Sequence, residues 1–289
     1  KLTFGLAQYT WVFILTIFIG LRAEVGGDWL NYFIIFQNSA DLPLYEILSD
    51  PIGDPLYMFV NWFAASYGLS YYSFNIFSAL IFSIGLVYFC QNLPRPWLGL
   101  AIAFPYLVIV VSMGYTRQAM ALGFVMIGYV ALGRQKNISF LFWVLMAVFS
   151  HKSAILMLPI AGLAASKNRI SVFFSLVFLV IAGYFIFLQE HVEKFMFGYI
   201  ELAYQSEGAL IRLMMNAIPA FIMILFYKSF PIPLHERRLW FWVGIISLAL
   251  LSIFPVFPSS AALDRVALYL LPIQMVTFTY LADIFPRDK

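Results

Sequence analysis

The chain has 289 residues, of which 63 % are hydrophobic and 11 % charged, and its mean hydropathy is +0.90. A soluble domain is about 45–50 % apolar and about 25 % charged, so the composition predicts an all-α, polytopic membrane protein. The net charge of +3 comes from basic residues scattered singly between apolar runs, a pattern that argues against nucleic-acid binding. The single cysteine, Cys90, excludes an intrachain disulfide and a cysteine-built metal site.

A membrane-spanning helix needs about 20 mostly apolar residues. The first such run, Leu2–Leu21, is too long for a signal-peptide core and has no small-residue cleavage site after it, so we expect it to stay in the membrane. The other predicted crossings are Tyr71–Cys90, Trp97–Met113, Arg117–Gly133, Ile138–Ser150, Ser153–Ser166, Ile170–Gln189, Ile211–Ser229, Arg238–Pro255 and Val266–Ile284. Residues 1–289 thus form one integral membrane domain with ten crossings and both ends on the same side.

Two polar segments and the distribution of charge set the predicted orientation. Residues 22–69 form an outer or interfacial segment, in which Leu56–Tyr67 is apolar but too short to span, and residues 190–210 form a second outer loop. Loops in the cytoplasm carry an excess of lysine and arginine, and placing Lys1 inside leaves eleven of the 17 basic residues on the inner side. The six basic residues predicted outside are Arg22, Arg117, Lys152, Lys194, Arg212 and Arg265.

Two shortened helices flank His151 and Lys152. The inner residue Lys136 lies only fifteen positions before His151, which is roughly 22 Å of helix, whereas the hydrocarbon core is about 30 Å thick. We therefore expect a hydrated dent in the outer face with these polar residues at its floor. Ionisable groups at such depth are costly and indicate a functional site.

The stretch Leu21–Tyr32 places Arg22, Glu24 and Asp28 close together around two glycines. Arg22 is either an anchor at a helix end or part of a site. Asp28 is either the cap of a helix carrying Trp29–Phe36 or a carboxylate that holds sugar hydroxyls beside the indole of Trp29. One residue can do both.

Further candidates lie at predicted outer helix ends. Arg117 begins a helix with Gln118 beside it, and Arg265 follows Asp264 one turn before Tyr269. The Asp264–Arg265 pair is either a local ion pair of little consequence or part of a cavity wall, where a guanidinium suits phosphate. Arg212 and Lys194 are weaker candidates because they border a long loop.

His151 is either a structural histidine or a proton carrier, since its ordinary pKa is near neutrality. The three histidines of the chain have no metal-ligand spacing, so no metal site is predicted. Nucleotide-binding glycine loops, GxSxG and HExxH are absent from the sequence, which argues against chemistry driven by ATP within this chain.

Four short motifs in series resemble those of the EpsG-type polysaccharide polymerases, which are related in role to the Wzy O-antigen and capsule polymerases of bacteria. They are Arg22 with Gly26-Gly27-Asp28-Trp29 and Tyr32, then Arg117-Gln118-Ala119, then Phe149 to Ala154, and finally Asp264-Arg265 with Tyr269. The resemblance covers nearly the whole chain. Its one departure is Gly-Gly-Asp-Trp where the family usually has Gly-Thr-Asp and an aromatic residue.

The resemblance implies a GT-C-like glycosyltransferase of the bacterial inner membrane whose site faces the periplasm or the cell exterior. Such an enzyme polymerises oligosaccharide repeats carried on polyprenyl pyrophosphate. It transfers the growing chain to a hydroxyl of another lipid-linked repeat and releases the pyrophosphate lipid. No cofactor is expected, and a separate chain-length regulator is the expected protein partner.

This reaction needs cations at the departing pyrophosphate, and arginines can supply them by bidentate hydrogen bonding. Arg117 and Arg265 are the first candidates and Arg22 is the third. Asp28 and His151 are the candidate catalytic bases, and the sequence does not rank them. Trp29, Tyr32, Gln118 and Tyr269 are the candidates for sugar binding.

Three other functions fit parts of the pattern. A glycan ligase uses the same donor chemistry, and product size would separate it from a polymerase. A flippase or transporter of lipid-linked sugars predicts charges along a path through the bilayer, whereas these gather at one face. A membrane acyltransferase predicts an essential histidine and explains the outer arginines less well.

Overall fold

The computed structural model describes residues 5–48, 53–164 and 205–285, and every regular element in these ranges is helical. The α-helices, numbered in chain order, are α1 (Leu6–Gly20), α2 (Trp29–Asn38), α3 (Leu44–Leu48), α4 (Pro55–Ser66), α5 (Tyr71–Gln91), α6 (Pro96–Ala103), α7 (Thr116–Gly133), α8 (Asn137–Ser150), α9 (Leu158–Ala164), α10 (Ala209–Leu225), α11 (Leu234–Ile253), α12 (Ser260–Leu270), α13 (Pro272–Thr279) and α14 (Leu281–Ile284). A π-helix over Phe104–Ser112 extends α6, and 3₁₀ turns cover Lys152–Met157 and Tyr227–Ser229.

The predicted all-helical class is confirmed for the described part of the chain, and the predicted apolar runs there coincide with helices. Within these residues α5 is by itself long and apolar enough to cross a bilayer, and α12 with α13 qualifies as a pair. The remaining apolar helices named by the same test are shorter, with 10–17 residues. The ten crossings, the domain limits and the GT-C-like architecture remain predictions. The predicted span Ile170–Gln189 and most of the loop 190–210 lie outside the described residues.

A proline divides the last of the predicted spans. The run predicted as Val266–Ile284 begins earlier, at Ser260, and bends by 42° between α12 and α13. Pro272 stands at this break, where it removes a backbone donor and its ring clashes with the preceding turn. Pro105 lies in the first turn of the π-helix that continues α6, and the two together form one apolar helix, Pro96–Ser112. The break at Pro272 shortens the regular helices of the last span.

Helix α7 lies at the centre of the bundle and is buried along nearly its whole length. It packs against α5 through glycines, because a Cβ on Gly85 would overlap the carbonyl of Gly123. A Cβ on Gly123 would lie 2.8 Å from the carbonyl oxygen of Ile81. Small residues let helix backbones approach closely in membranes. This contact fixes the position of α7, whose first residues, from Thr116, enter the candidate site.

We expect Gly123→Ala to destabilise the protein by about 1–3 kcal/mol, because the added methyl must push two helix backbones apart. Gly128→Ala, one turn further along α7, is the matched control, since its Cβ would meet only side-chain atoms at 3.4 Å and beyond. Thermal unfolding in detergent measures both variants. An equal Tm for the two would contradict the proposed role of the glycine contact.

Candidate functional site

A cavity of about 310 Å³ collects residues from all four sequence motifs. The contributing segments are the start of α2, the start of α7, the end of α8 and the start of α12. The chain just before α10 completes the wall. The lining residues are Asp28, Tyr32, Tyr115, Arg117, Gln118, His151, Gln205, Ser206, Ala261, Asp264 and Arg265.

Three helices begin at this cavity. Asp28 and Tyr115 occupy the positions just before α2 and α7, and the hydroxyl of Ser259 caps α12 by accepting from the N–H of Ala262. The first N–H groups of a helix lack intrahelical partners and carry partial positive charge. The side chain of Asp28 makes no capping bond, so the carboxylate faces the cavity instead. The helix ends therefore favour an anion here.

A glycine contact holds the start of α2 against the start of α7. Gly26 has a φ of +92°, and a Cβ on it would lie 2.7 Å from the Cα of Gly114. A residue with a side chain would be strained at this φ and would also collide with the neighbouring turn. The contact brings Asp28 and Arg117 to the same cavity.

Asp54 is buried beside the cavity and binds three other groups. Its Oδ2 accepts from Nη1 of Arg117 at 3.1 Å and from Nδ1 of His151 at 3.0 Å. Its Oδ1 accepts from the backbone N–H of Lys152 at 2.9 Å. The carboxylate therefore joins the start of α4 to α7 and to the junction after α8.

The charge on Asp54 is stabilised by these partners. Burial by itself would raise the pKa of Asp54, but His151, Arg117 and the Lys152 N–H outweigh it and hold the pKa below its ordinary value. Asp54 is therefore ionised at neutral pH and accepts hydrogen bonds only.

The Asp54 contact also fixes the orientation of the His151 ring. Because an ionised carboxylate can only accept, Nδ1 of His151 carries a proton. The other ring nitrogen of His151, Nε2, lies 3.3 Å from the amide nitrogen of Gln118. The Oε1 of Gln118 is buried and makes no hydrogen bond within the described residues. The amide can therefore donate to a neutral imidazole or, after a flip, accept from an imidazolium. The pair suits a histidine that gains and loses a proton.

Arg117 is held between Asp54 and two tyrosine rings. Its guanidinium carbon lies 5.6 Å from the ring centroid of Tyr32 and 5.3 Å from that of Tyr57. Burial raises the pKa of Tyr32 to about 12, so its hydroxyl is a donor at neutral pH, and it donates to Asp28 at 3.5 Å. Cation–π contacts orient the guanidinium without occupying all of its donors.

Arg265 lines the same cavity and is half-buried. Arg117 lines this cavity as well, so two guanidinium groups share it and repel each other. An anion bound in the cavity would relieve the repulsion between the two cations. Within the described residues, no group of three or more histidine, cysteine or acidic side chains is arranged to hold a metal ion.

Asp264 pairs with Arg212, which lies 52 residues earlier in the chain. Arg212 donates to both oxygens of Asp264, to Oδ2 at 2.6 Å from Nη2, and also to Ser206 and the phenol of Tyr106. Arg212 is only 5 % exposed. It was the weaker candidate from sequence, and the structure gives it a bidentate, buried bond that joins α10 to α12.

Three of the sequence-predicted residues do not line the cavity. Arg22 is buried and donates to the carbonyl of Ile19 and to the hydroxyl of Thr116, which ties the end of α1 to α7. Trp29 stacks on Phe33, with ring centroids 5.4 Å apart. Tyr269 is fully buried, and its hydroxyl lies 3.1 Å from that of Ser153. The roles of these three residues in substrate binding remain predictions.

The sequence analysis missed several lining or supporting residues, among them Asp54 and Tyr115. Asp54 precedes Pro55, the usual pattern of a helix cap before a first-turn proline, so its local signal indicated a cap and not a site. Its side chain makes no capping bond. Tyr115 was passed over because it lies in the short turn between two apolar runs. The tertiary structure gives both residues their place at the site.

We expect Asp54→Asn to destabilise the protein by about 3 kcal/mol, because it removes the charge that Arg117 and His151 share in a buried position. Asp41→Asn, at an exposed position of the same segment, is the control. Thermal unfolding in detergent at neutral pH measures the effect. A Tm for Asp54→Asn equal to that of the control would contradict the role given to Asp54.

The same variant predicts a pH dependence. The folded-state pKa of Asp54 is below the unfolded value of about 3.9, so its contribution to stability is complete well above that value and is lost as the pH falls through the folded pKa. The difference in Tm between the wild type and Asp54→Asn should be constant from about pH 5 to 7 and should shrink below about pH 4. A difference that grows on acidification would overturn the assignment.

Comparison with known proteins agrees with the motif series. Neither the curated proteins nor the solved structures contain a significant match to this chain. The sequence model of the EpsG family matches residues 7–289, nearly the whole chain. EpsG is a family of membrane-associated polysaccharide polymerases. The chain is a member of the EpsG family.

Proposed function

We propose that this protein polymerises oligosaccharide repeats linked to polyprenyl pyrophosphate, at the periplasmic or exterior face of the bacterial inner membrane. The observation that carries the proposal is the single cavity in which Arg117 and Arg265 lie with Asp28 and the His151–Asp54 pair. Family membership supports a polysaccharide polymerase. The lipid-linked donor and the face of the membrane are what the family resemblance implies, and the roles of the individual residues are our inference from the chemistry of the cavity.

The bond that breaks joins the anomeric carbon of the donor chain to the pyrophosphate oxygen. The electron pair of that bond leaves with the pyrophosphate, so negative charge develops on the leaving group. Arg117 and Arg265 line the cavity in which this charge would be bound. The first N–H groups of α7 and α12 carry partial positive charge and would stabilise the leaving group further. Because two cations already share the cavity, binding an anion there lowers their mutual repulsion.

The bond that forms joins the same carbon to a hydroxyl oxygen of the acceptor repeat, whose proton must leave. We assign this proton to Nε2 of His151, since Asp54 holds Nδ1–H and stabilises the resulting imidazolium. The acceptor hydroxyl must displace the Gln118 amide from Nε2. Asp28, half-exposed at the wall, holds the acceptor sugar. The ring of Tyr115 offers the stacking surface.

The direct test is reconstitution of the purified protein with lipid-linked repeats and no nucleotide. We expect the wild type to produce a ladder of increasing chain length, and Arg117→Ala and Arg265→Ala to lose it, each by at least about 100-fold in rate. Arg95→Ala is the control, because Arg95 pairs with the largely exposed Asp283 away from the cavity lining. A ladder unchanged in the two cavity variants would contradict the assignment of the cations.

The same assay separates the alternatives. A single transfer to a foreign acceptor would indicate a ligase. Labelled lipid that crosses the vesicle bilayer without any new glycosidic bond would indicate a transporter. Chain-length control is expected to depend on a separate regulator protein, and adding such a partner should narrow the ladder without changing the need for Arg117 and Arg265.

The assignment of the base predicts different kinetic effects for the two candidates. His151→Gln should lower kcat by about 10²–10⁴-fold and remove the acidic limb of the pH–rate profile, because the amide cannot take up the proton. Asp28→Asn should mainly raise the KM for the acceptor and keep that limb. If Asp28→Asn removes the limb and His151→Gln keeps it, Asp28 is the base.

A further inference from the structure

A second crevice lies at the other end of α10 from the cavity. Helix α10 has 17 residues and so carries the chain roughly 25 Å away from Ala209. The crevice has a volume of about 500 Å³ and lies between the end of α10, the turn after it and the first half of α11. Its walls include Leu225, Tyr227, Lys228, Phe241 and Trp242.

Two cations line this crevice, Lys228 and Arg238, and none of the lining residues is acidic. No Asp or Glu of the described residues forms an ion pair with either cation. The neighbouring Arg237 has a different role. It donates to the carbonyls of Lys228 and Ile232 and lies 5.6 Å over the ring of Tyr227, so it builds the turn. Lys228 and Arg238 can therefore both bind an anion in the crevice.

An apolar stripe on α10 leads to the crevice. Its members recur every three or four residues and therefore share one helix face. Their side chains are between 45 % and 64 % exposed, in the order Ile211, Met214, Ile218, Phe221 and Leu225. The stripe is roughly 21 Å long. A hydrocarbon chain can lie along it and end at the two cations.

Aromatic residues mark the level of this crevice. Tyr227 packs edge-on against Phe241, with centroids 5.1 Å apart, and Phe241 packs against Trp242 at 5.9 Å. Tyrosine and tryptophan collect where the hydrocarbon meets the headgroups. Cations beside such a belt, between helices of a membrane protein, bind anionic headgroups. The occupant therefore needs a phosphate and an acyl chain in one molecule.

We propose that this crevice binds an anionic phospholipid, with its phosphate between Lys228 and Arg238 and one acyl chain along the stripe of α10. The proposal requires only that the protein lies in a bilayer. It is independent of the polymerase chemistry, because none of the crevice residues lines the cavity.

Native mass spectrometry of the purified full chain tests the proposal, with phosphatidylglycerol, phosphatidylcholine and inorganic phosphate as probes. We expect the wild type to retain phosphatidylglycerol in preference to phosphatidylcholine. A Lys228→Gln/Arg238→Gln double variant should lose this preference by roughly 30-fold, at about five-fold for each cation. The control is Arg95→Gln/Lys136→Gln, which removes the same formal charge from residues outside the crevice and should keep the preference.

A second readout does not depend on how the charge variants fold. Phosphatidylglycerol with brominated acyl chains should quench the fluorescence of Trp242, and the quenched fraction should fall in Trp242→Phe. Brominated phosphatidylcholine at the same concentration should quench it less. Equal binding of the two lipids to the wild type, or an unchanged preference in the crevice variant, would overturn the proposal. Displacement of the lipid by millimolar inorganic phosphate would also overturn it, since the site would then bind the free ion.

Discussion

The carboxylate of Asp54 is the interaction on which the rest of the candidate site depends. An ionised carboxylate in so apolar a chain carries a large desolvation cost. Three donors offset this cost, and they come from Arg117, His151 and the backbone of Lys152. None of these donors belongs to α4, so the charge of Asp54 sets the positions of Arg117 and His151 relative to the start of α4.

A second buried ion pair lies at the part of the cavity wall that α12 forms. Arg212 on α10 binds Asp264 on α12 through both of its oxygens, and this pair fixes the start of the helix that carries Arg265. Asp54 thus holds Arg117 at the cavity directly, and the Arg212–Asp264 pair holds the helix turn that carries Arg265. In the reaction that we propose, such fixed pairs preorganise the site for the charge that develops on the leaving group.

The packing of the bundle explains why the site lies where helices begin. Gly85 and Gly123 let α5 and α7 approach closely, and Gly26 lets the loop before α2 rest on the turn before α7. Both contacts need the absence of a Cβ. They bring the first turns of separate helices to one cavity, where free N–H groups and arginines can act together on the pyrophosphate that we propose as the leaving group. The α10 helix links this cavity to the crevice with Lys228 and Arg238.

The sequence by itself determined the helical class, most helix limits of the described residues and the segments that meet at the cavity, because apolar length, prolines and isolated charges are local signals. Six of the nine residues chosen from sequence line the cavity. Only the tertiary structure decided which charges pair. Asp54 lies 63 residues from Arg117 and 97 from His151, and Arg212 takes Asp264 across 52 residues. Partner choice between buried ions depends on distances of a few ångströms between side chains, and those distances exist only once the helices have packed.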